Sequence, residues 1–169
     1  MLENSQIFET NLPEIEKVKF KRIHKNYLKV ILLNIFLFCT LLITANILLF
    51  LFKDSLYTYI QPIYVYTSIF LFSLLLLLYY YIGFTKRKYA IRQKDISYKS
   101  GVFIKSTTTV PFNRIQHIEI DEGFFSRFFK LASINIYTAG AEGKDLEIRG
   151  VSKENAFRIK EFITSIIYE

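Results

Sequence analysis

Leu74–Asp95, LLLLLYYYIGFTKRKYAIRQKD, changes character three times. Five leucines lead into Tyr79–Tyr81, the cations Lys86, Arg87 and Lys88 follow, and Tyr89 and Ile91 then alternate with polar residues. A continuous apolar run suits a helix in lipid, whereas alternation with period two suits a strand with one face buried. The junction therefore predicts a membrane helix running directly into a β-rich domain.

The apolar character continues upstream. Val30–Phe52 has no charged residue in 23 positions, and Ser55–Thr85 has none in 31. Uncharged apolar runs of about 18 residues or more are read as membrane-spanning helices. The first run holds 17 Val, Ile, Leu and Phe residues. Their insertion is favourable by about 5–10 kcal/mol before its few polar residues are counted. A signal peptide would be shorter and end at a small-residue site; ILLFLFKDS offers none. Pro62 suits the start of the second helix, where its missing N–H costs little.

Charge orients the pair. Six Lys/Arg lie within Lys17–Lys29 and five within Lys86–Lys94, but the Lys53–Tyr59 connection has one Lys and one Asp. Cations concentrate in cytoplasmic flanks. Both termini are therefore expected in the cytoplasm, with a multi-pass chain in the cytoplasmic (inner) membrane. Tyr57, Tyr59, Tyr64 and Tyr66 are expected at the outer interface, and Tyr27 and Tyr79–Tyr81 at the inner one, because a phenol has an apolar ring and a hydroxyl that seeks water. No ionisable Asp, Glu, Lys, Arg or His falls within either run. Ion pumps and proton relays need such groups at depth, so a transport path built from this chain alone is disfavoured. Cys39 reads as apolar filler. Asn34 and Asn46 read as local packing groups or as contacts to a neighbouring subunit.

The first 16 residues carry four glutamates and no cation, which suits a poorly ordered tail. Phe20, Ile23 and Tyr27 then recur at helical spacing among Lys19, Lys21, Arg22, Lys25 and Lys29. That pattern predicts an amphipathic extension of the first span against anionic headgroups, with His24 a solvated interfacial residue.

Downstream of Lys86 six alternating segments predict antiparallel strands. Their inward residues are Tyr89 and Ile91; Ile96 and Tyr98; Val102, Ile104, Val110 and Phe112; Ile118 and Ile120; Ile134 and Ile136; Leu146 and Ile148. Lys99–Gly101 reads as a tight turn and TAGAEGKD as a hairpin loop. Ala156, Ile159, Phe162, Ile163 and Ile166 form one helical stripe, with Ser152 as its cap and Glu154 favourable in its first turn. The fold class is an α+β membrane protein: a transmembrane helical hairpin, then an antiparallel β-barrel or sandwich closed by a C-terminal helix. Expected boundaries are a tail and basic segment over 1–29, the hairpin over 30–85 (helices about 30–52 and 60–82), and a cytoplasmic domain over 86–169.

The Gly101 turn, VPFNRIQHIEI (Val110–Ile120), the helical FFSRFFKLA and INIYTAG (Ile134–Gly140) resemble the membrane-flanked bacterial pleckstrin-homology-like domains of the YdbS type. Two membrane helices before the domain match that family's layout. The resemblance covers roughly residues 25–168. It implies a strongly bent antiparallel sheet with a closing helix and seven strands, one more than the alternation supplies. It brings no ligand with it. Eukaryotic relatives of this superfold hold phosphoinositides with basic residues around the first strand pair. Lys86, Arg87, Lys88, Arg92, Lys94 and Lys99 cluster there, and they serve equally as flanking charges beside an anionic leaflet. Fold alone does not license function.

No nucleophile–base–acid set stands out. His117 and Glu119 share one strand face without a third ligand, so they read as an exposed pair. Ser126 lies in an aromatic turn, and TAGAEGKD lacks phosphate-loop spacing. Neither an enzyme nor a cofactor or metal is expected. The final 84 residues carry 15 Lys/Arg against 10 Asp/Glu, with five of those cations at the membrane boundary, so nucleic-acid binding is not expected. Candidate membrane or anionic-lipid contacts are Lys19, Lys21, Arg22, Lys25, Lys86, Arg87, Lys88 and Arg92. Phe124, Phe125, Phe128 and Phe129, with Arg127 and Lys130 between them, read first as filling the base of the domain; the alternative is that they dip into the bilayer or a partner surface, with Phe124, Phe125, Arg127 and Phe128 as the candidate partner or interface surface. Expected partners are membrane lipids and either a protein or further copies of this chain. The expected role is a membrane-anchored binding or scaffolding module, with an anionic-lipid sensor or an accessory subunit of a transport or envelope-stress system as the alternative.

Overall fold

The computed structural model describes residues 18–52, 61–139 and 143–168, with only the backbone of Tyr168. The acidic tail over 1–16, the connecting loop with Tyr57 and Tyr59, and the Gly140–Glu142 part of the TAGAEGKD loop lie outside the described residues.

A short strand β1 (Lys21–Arg22) precedes two long helices, α1 (Tyr27–Phe52) and α2 (Pro62–Lys86). Both helices are long and apolar enough to cross a membrane, and apart from Tyr27, Val30 and Ile31 at the start of α1 and Gly83 in α2 they are unburied. They pack side by side. A shared cavity is lined by Ile31, Ile35 and Phe38 near the start of α1 and by Phe72, Leu76 and Tyr80 near the end of α2, so they run antiparallel. Asn34 Nδ2 donates to its own helix at the Val30 carbonyl (2.8 Å).

Strands β2 (Lys88–Ile91), β3 (Asp95–Ser100), β4 (Ser106–Pro111), β5 (Ile115–Asp121), β6 (Leu131–Thr138) and β7 (Leu146–Ser152) follow, with a one-turn helix α3 (Phe124–Phe128) between β5 and β6. They form two antiparallel sheets, ordered β1-β2-β3-β4 and β5-β6-β7. Among the described residues the two sheets do not close into a barrel. A 3-10 turn at Phe112–Arg114 carries the chain between them. Phe112 plugs that corner, and its N–H donates to the Lys94 carbonyl (2.9 Å). Helix α4 (Lys153–Tyr168) covers the second sheet with Ala156, Ile159 and Ile163 buried. Phe162, on the predicted stripe, is half exposed and meets the Phe112 ring edge-on.

Three expectations are corrected. First, the arm before the first span is not an amphipathic helix. Lys21–Arg22 pairs with Lys88–Tyr89 as an edge strand, and α1 begins only at Tyr27. Here sheet edge hydrogen bonding outweighs a weak helical pattern. This strand supplies the seventh. Second, Val102 and Ile104 are not strand residues. Gly101 adopts φ +111°, and a Cβ there would stand 1.8 Å from the Ile104 carbonyl oxygen, so the chain folds back tightly and 102–105 form the hairpin tip. Third, β5 is not a plain alternation: a register shift between Ile115 and His117 keeps both Ile115 and Ile118 inward.

The core is shared with α1. Ile23, Tyr27, Val30 and Ile31 are buried in one cluster with Leu131, Ile134, Ile148 and Val151. Helix and sheet domain therefore meet through packed apolar side chains, with no intervening linker.

Candidate functional site

Strand register gathers cations that the sequence scatters. Arg22 lies opposite Lys88, and Lys88 lies opposite Lys99. Residues directly across from one another share a sheet face, so three cations stand in a row across β1, β2 and β3. The next partner across is Thr107, on β4. Lys86, Lys105 and Ser106 line the same cleft. Like charges placed opposite are destabilising by an amount on the order of 0.2–1 kcal/mol per pair. Their aligned donors suit a phosphate or carboxylate group. Lys99 Nζ also lies 4.2 Å from the Phe20 ring centroid, a cation–π contact.

The other predicted cations go elsewhere. Arg87 turns to Tyr27, with Nη1 3.5 Å from the phenol oxygen and the guanidinium 5.8 Å from the ring centroid. Arg92 pairs with Asp95 at 2.7 Å in the β2–β3 turn. Lys21 points to the opposite sheet face and lines a groove with Ile91, Asn155 and Arg158. Lys25 borders a separate cleft with His24 and Asn26. Lys19 is exposed. Lys105 is the cation that reading from sequence missed; it follows Ile104 in a segment taken for strand, and only the hairpin turn brings it to the row.

The aromatic turn divides its residues. Phe125 and Phe129 pack against the core, whereas Phe124 and Phe128 stay 75% and 71% exposed. The two exposed rings meet edge-to-face at 5.4 Å, with Arg127 exposed beside them. Helix α3 lies against α1, and Lys29 Nζ is 5.8 Å from the Phe129 centroid. The turn thus both fills the domain base and presents an aromatic pair next to the first long helix.

Burial pushes the Tyr98 and Tyr89 phenols above their ordinary value. The Arg149 guanidinium, 2.8 Å from Glu147, holds that carboxyl below the usual range, and Lys144 adds to the effect. On the outer face of the second sheet His117 stacks on Tyr137, whose hydroxyl donates to Glu119 Oε2 at 2.8 Å. Among the described residues no group of three or more His, Cys, Asp or Glu could hold a metal ion.

The bacterial PH domain family model matches residues 28–166. The chain is 27% identical over 79 residues to the UPF0699 transmembrane protein YdbS of Bacillus subtilis (strain 168), covering 47% of this chain and 48% of that protein. It is 32% identical over 77 residues to the UPF0699 transmembrane protein YdbT of the same organism, covering 44% of this chain and 15% of that protein. The matched segments thus span about half of one curated relative and a small part of the other. A solved structure of a DUF1696 family protein with a pleckstrin-homology domain, from Shewanella loihica PV-4, is similar over 50% of this chain and 73% of its own, with a TM-score of 0.40 and 15% identity.

Proposed function

The chain belongs to the bacterial PH domain family, and on that premise we propose that it is a non-enzymatic, membrane-anchored binding module that recruits a protein partner to the cytoplasmic face of the inner membrane. The observation that supports this reading is the shared core. Tyr27, Val30 and Ile31 of α1 are buried with Leu131 and Ile148 of the sheet domain. A domain packed on its own anchor presents its surface at one depth and one orientation, which lowers the orientational cost of docking a partner at the membrane. The surface it presents is the Phe124–Phe128 pair with Arg127; aromatic residues and arginine dominate the energetics of protein interfaces. The charge asymmetry around α1 and α2 supports a topology with both termini in the cytoplasm.

A photo-reactive residue at Phe124 or Phe128 in the full chain, activated in native membranes, tests the reading. A discrete cross-linked protein, a second copy of this chain included, is expected. Cross-links to lipid alone would remove it. A reporter fused after Glu169 and active only outside the cytosol would remove the topology.

The Arg22–Lys88–Lys99 row favours a second reading, an anionic-lipid sensor. Three facing cations hold their place at a cost to stability, and an anionic headgroup would offset it.

A further inference from the structure

We propose that the tip of the β3–β4 hairpin, Val102–Ile104, is a third membrane-contact element, inserted among the lipids beside α2. Phe103 and Ile104 are 87% and 84% exposed, more than any other large apolar side chain among the described residues. Exposure at a loop tip would by itself say nothing of what covers it. The contacts around this tip do.

The tip runs along the apolar helix. Val102 packs where a Cβ on Gly83 would approach to 3.2 Å. The Phe103 ring stacks on Tyr79, with centroids 6.1 Å apart and planes at 24°. Tyr79 lies seven residues before Lys86, about 10 Å along the helix axis. Phe103 thus stands at the level of the Tyr79–Tyr81 belt, one to two turns inside the last cation of α2. Tyrosines of that kind mark the boundary between headgroups and hydrocarbon. Gly101 enforces the placement, because only its positive φ lets the chain fold back so tightly.

Charge agrees with depth. Lys99 and Lys105 flank the tip, and Lys86 and Lys88 line the cleft at its neck. Apolar side chains leading and cations trailing is the order in which an interfacial segment meets acyl chains and then anionic headgroups. The committed occupant is the lipid of the leaflet facing the sheet domain. This inference does not depend on the partner surface at Phe124.

The test uses the full chain with Cys39→Ser, reconstituted in vesicles of equal parts phosphatidylglycerol and phosphatidylcholine. An environment-sensitive fluorophore is placed at Ile104→Cys, at Phe103→Cys, or at the exposed strand position Thr107→Cys. Lipids bearing a nitroxide high on the acyl chain are then added. Quenching at 103 or 104 at least about two-fold stronger than at 107 is expected. Quenching at both tip positions no greater than at 107 overturns the proposal, whether the tip then proves to be in water or under another protein. The partner reading is decided separately by cross-linking at 124 and 128, so each can fail alone.

Discussion

The ring of Tyr27 occupies the space a side chain at Gly150 would need. A Cβ at Gly150 would stand 2.5 Å from Tyr27 Cγ, and Gly150 itself adopts φ +79°. The His24 N–H donates to the Gly150 carbonyl at 2.8 Å. One glycine on β7 thus receives both the entry turn and the first turn of α1, and ties the membrane helix to the sheet.

Gly150→Ala should therefore destabilise the domain by about 2–5 kcal/mol. Left-handed backbone costs roughly 1–2 kcal/mol for a residue with a Cβ, and overpacking against a buried ring adds about 1–3 kcal/mol. Unfolding in detergent micelles measures it. Tyr27→Ala combined with Gly150→Ala should recover the overpacking part, so the pair will be non-additive; strict additivity would show that the ring is not the obstacle.

Phe124→Ser with Phe128→Ser should leave stability within about 0.5 kcal/mol per site, because both rings are mostly exposed. With the photo-reactive residue moved to the exposed Arg127 position, the same change should abolish cross-linking to the partner. Ile134→Ala, at a fully buried position, should cost about 2–5 kcal/mol. A pair of serines as damaging as the core change would mean that the aromatic turn is structural only.

Lys88→Gln should stabilise the first sheet by an amount on the order of 0.2–1 kcal/mol per opposed pair, by relieving its opposition to Arg22 and Lys99. If the cation row holds anionic lipid, the same variant should retain less phosphatidylglycerol in native mass spectrometry. Retention equal to the parent protein would count against the second reading.

The Glu147–Arg149 pair gives a pH dependence of defined sign. Its hydrogen bond from Arg149 lowers the folded-state pKa of Glu147. Above the ordinary glutamate range the carboxylate is ionised in both states and the contribution is complete. As pH falls below that range, the unfolded chain takes up its proton first and the contribution is lost through the depressed folded-state pKa. Glu147→Gln should flatten the stability profile below about pH 4.5. An unaltered acid limb would place the pH sensitivity elsewhere.

Gly101→Ala should displace the hairpin tip, since its Cβ would meet the Ile104 carbonyl. Faster amide hydrogen exchange over 102–105 than in the parent protein is the expected readout.

The long helices, the alternating strands and the apolar stripe of α4 were legible because each is a short-range pattern. Consecutive residues report whether their surroundings are lipid, a half-buried sheet or a helix face. Strand β1 was not legible: two residues, Lys21 and Arg22, carry no measurable period, and their partners stand beyond both helices at Lys88 and Tyr89. The tip was misread because Val102 and Ile104 alternate like strand residues, whereas Gly101 decides the path through a backbone angle that alternation does not encode.

The candidate site divides along the same line. Composition alone placed Arg22, Lys86, Lys88 and Lys99 in a basic region, since cations gather where a chain leaves the membrane. Which of them stand in a row followed from antiparallel register, which sent Arg87 to Tyr27 and Arg92 to Asp95 while bringing in Lys105. Local patterning settled the long helices, strands β2–β7 and α4, because burial period and charge flanks act over one or two turns. Which segments meet depended on long-range packing: the Tyr27 ring closing on Gly150, and Phe103 reaching Tyr79, are contacts between residues more than 20 positions apart that only a folded core can select.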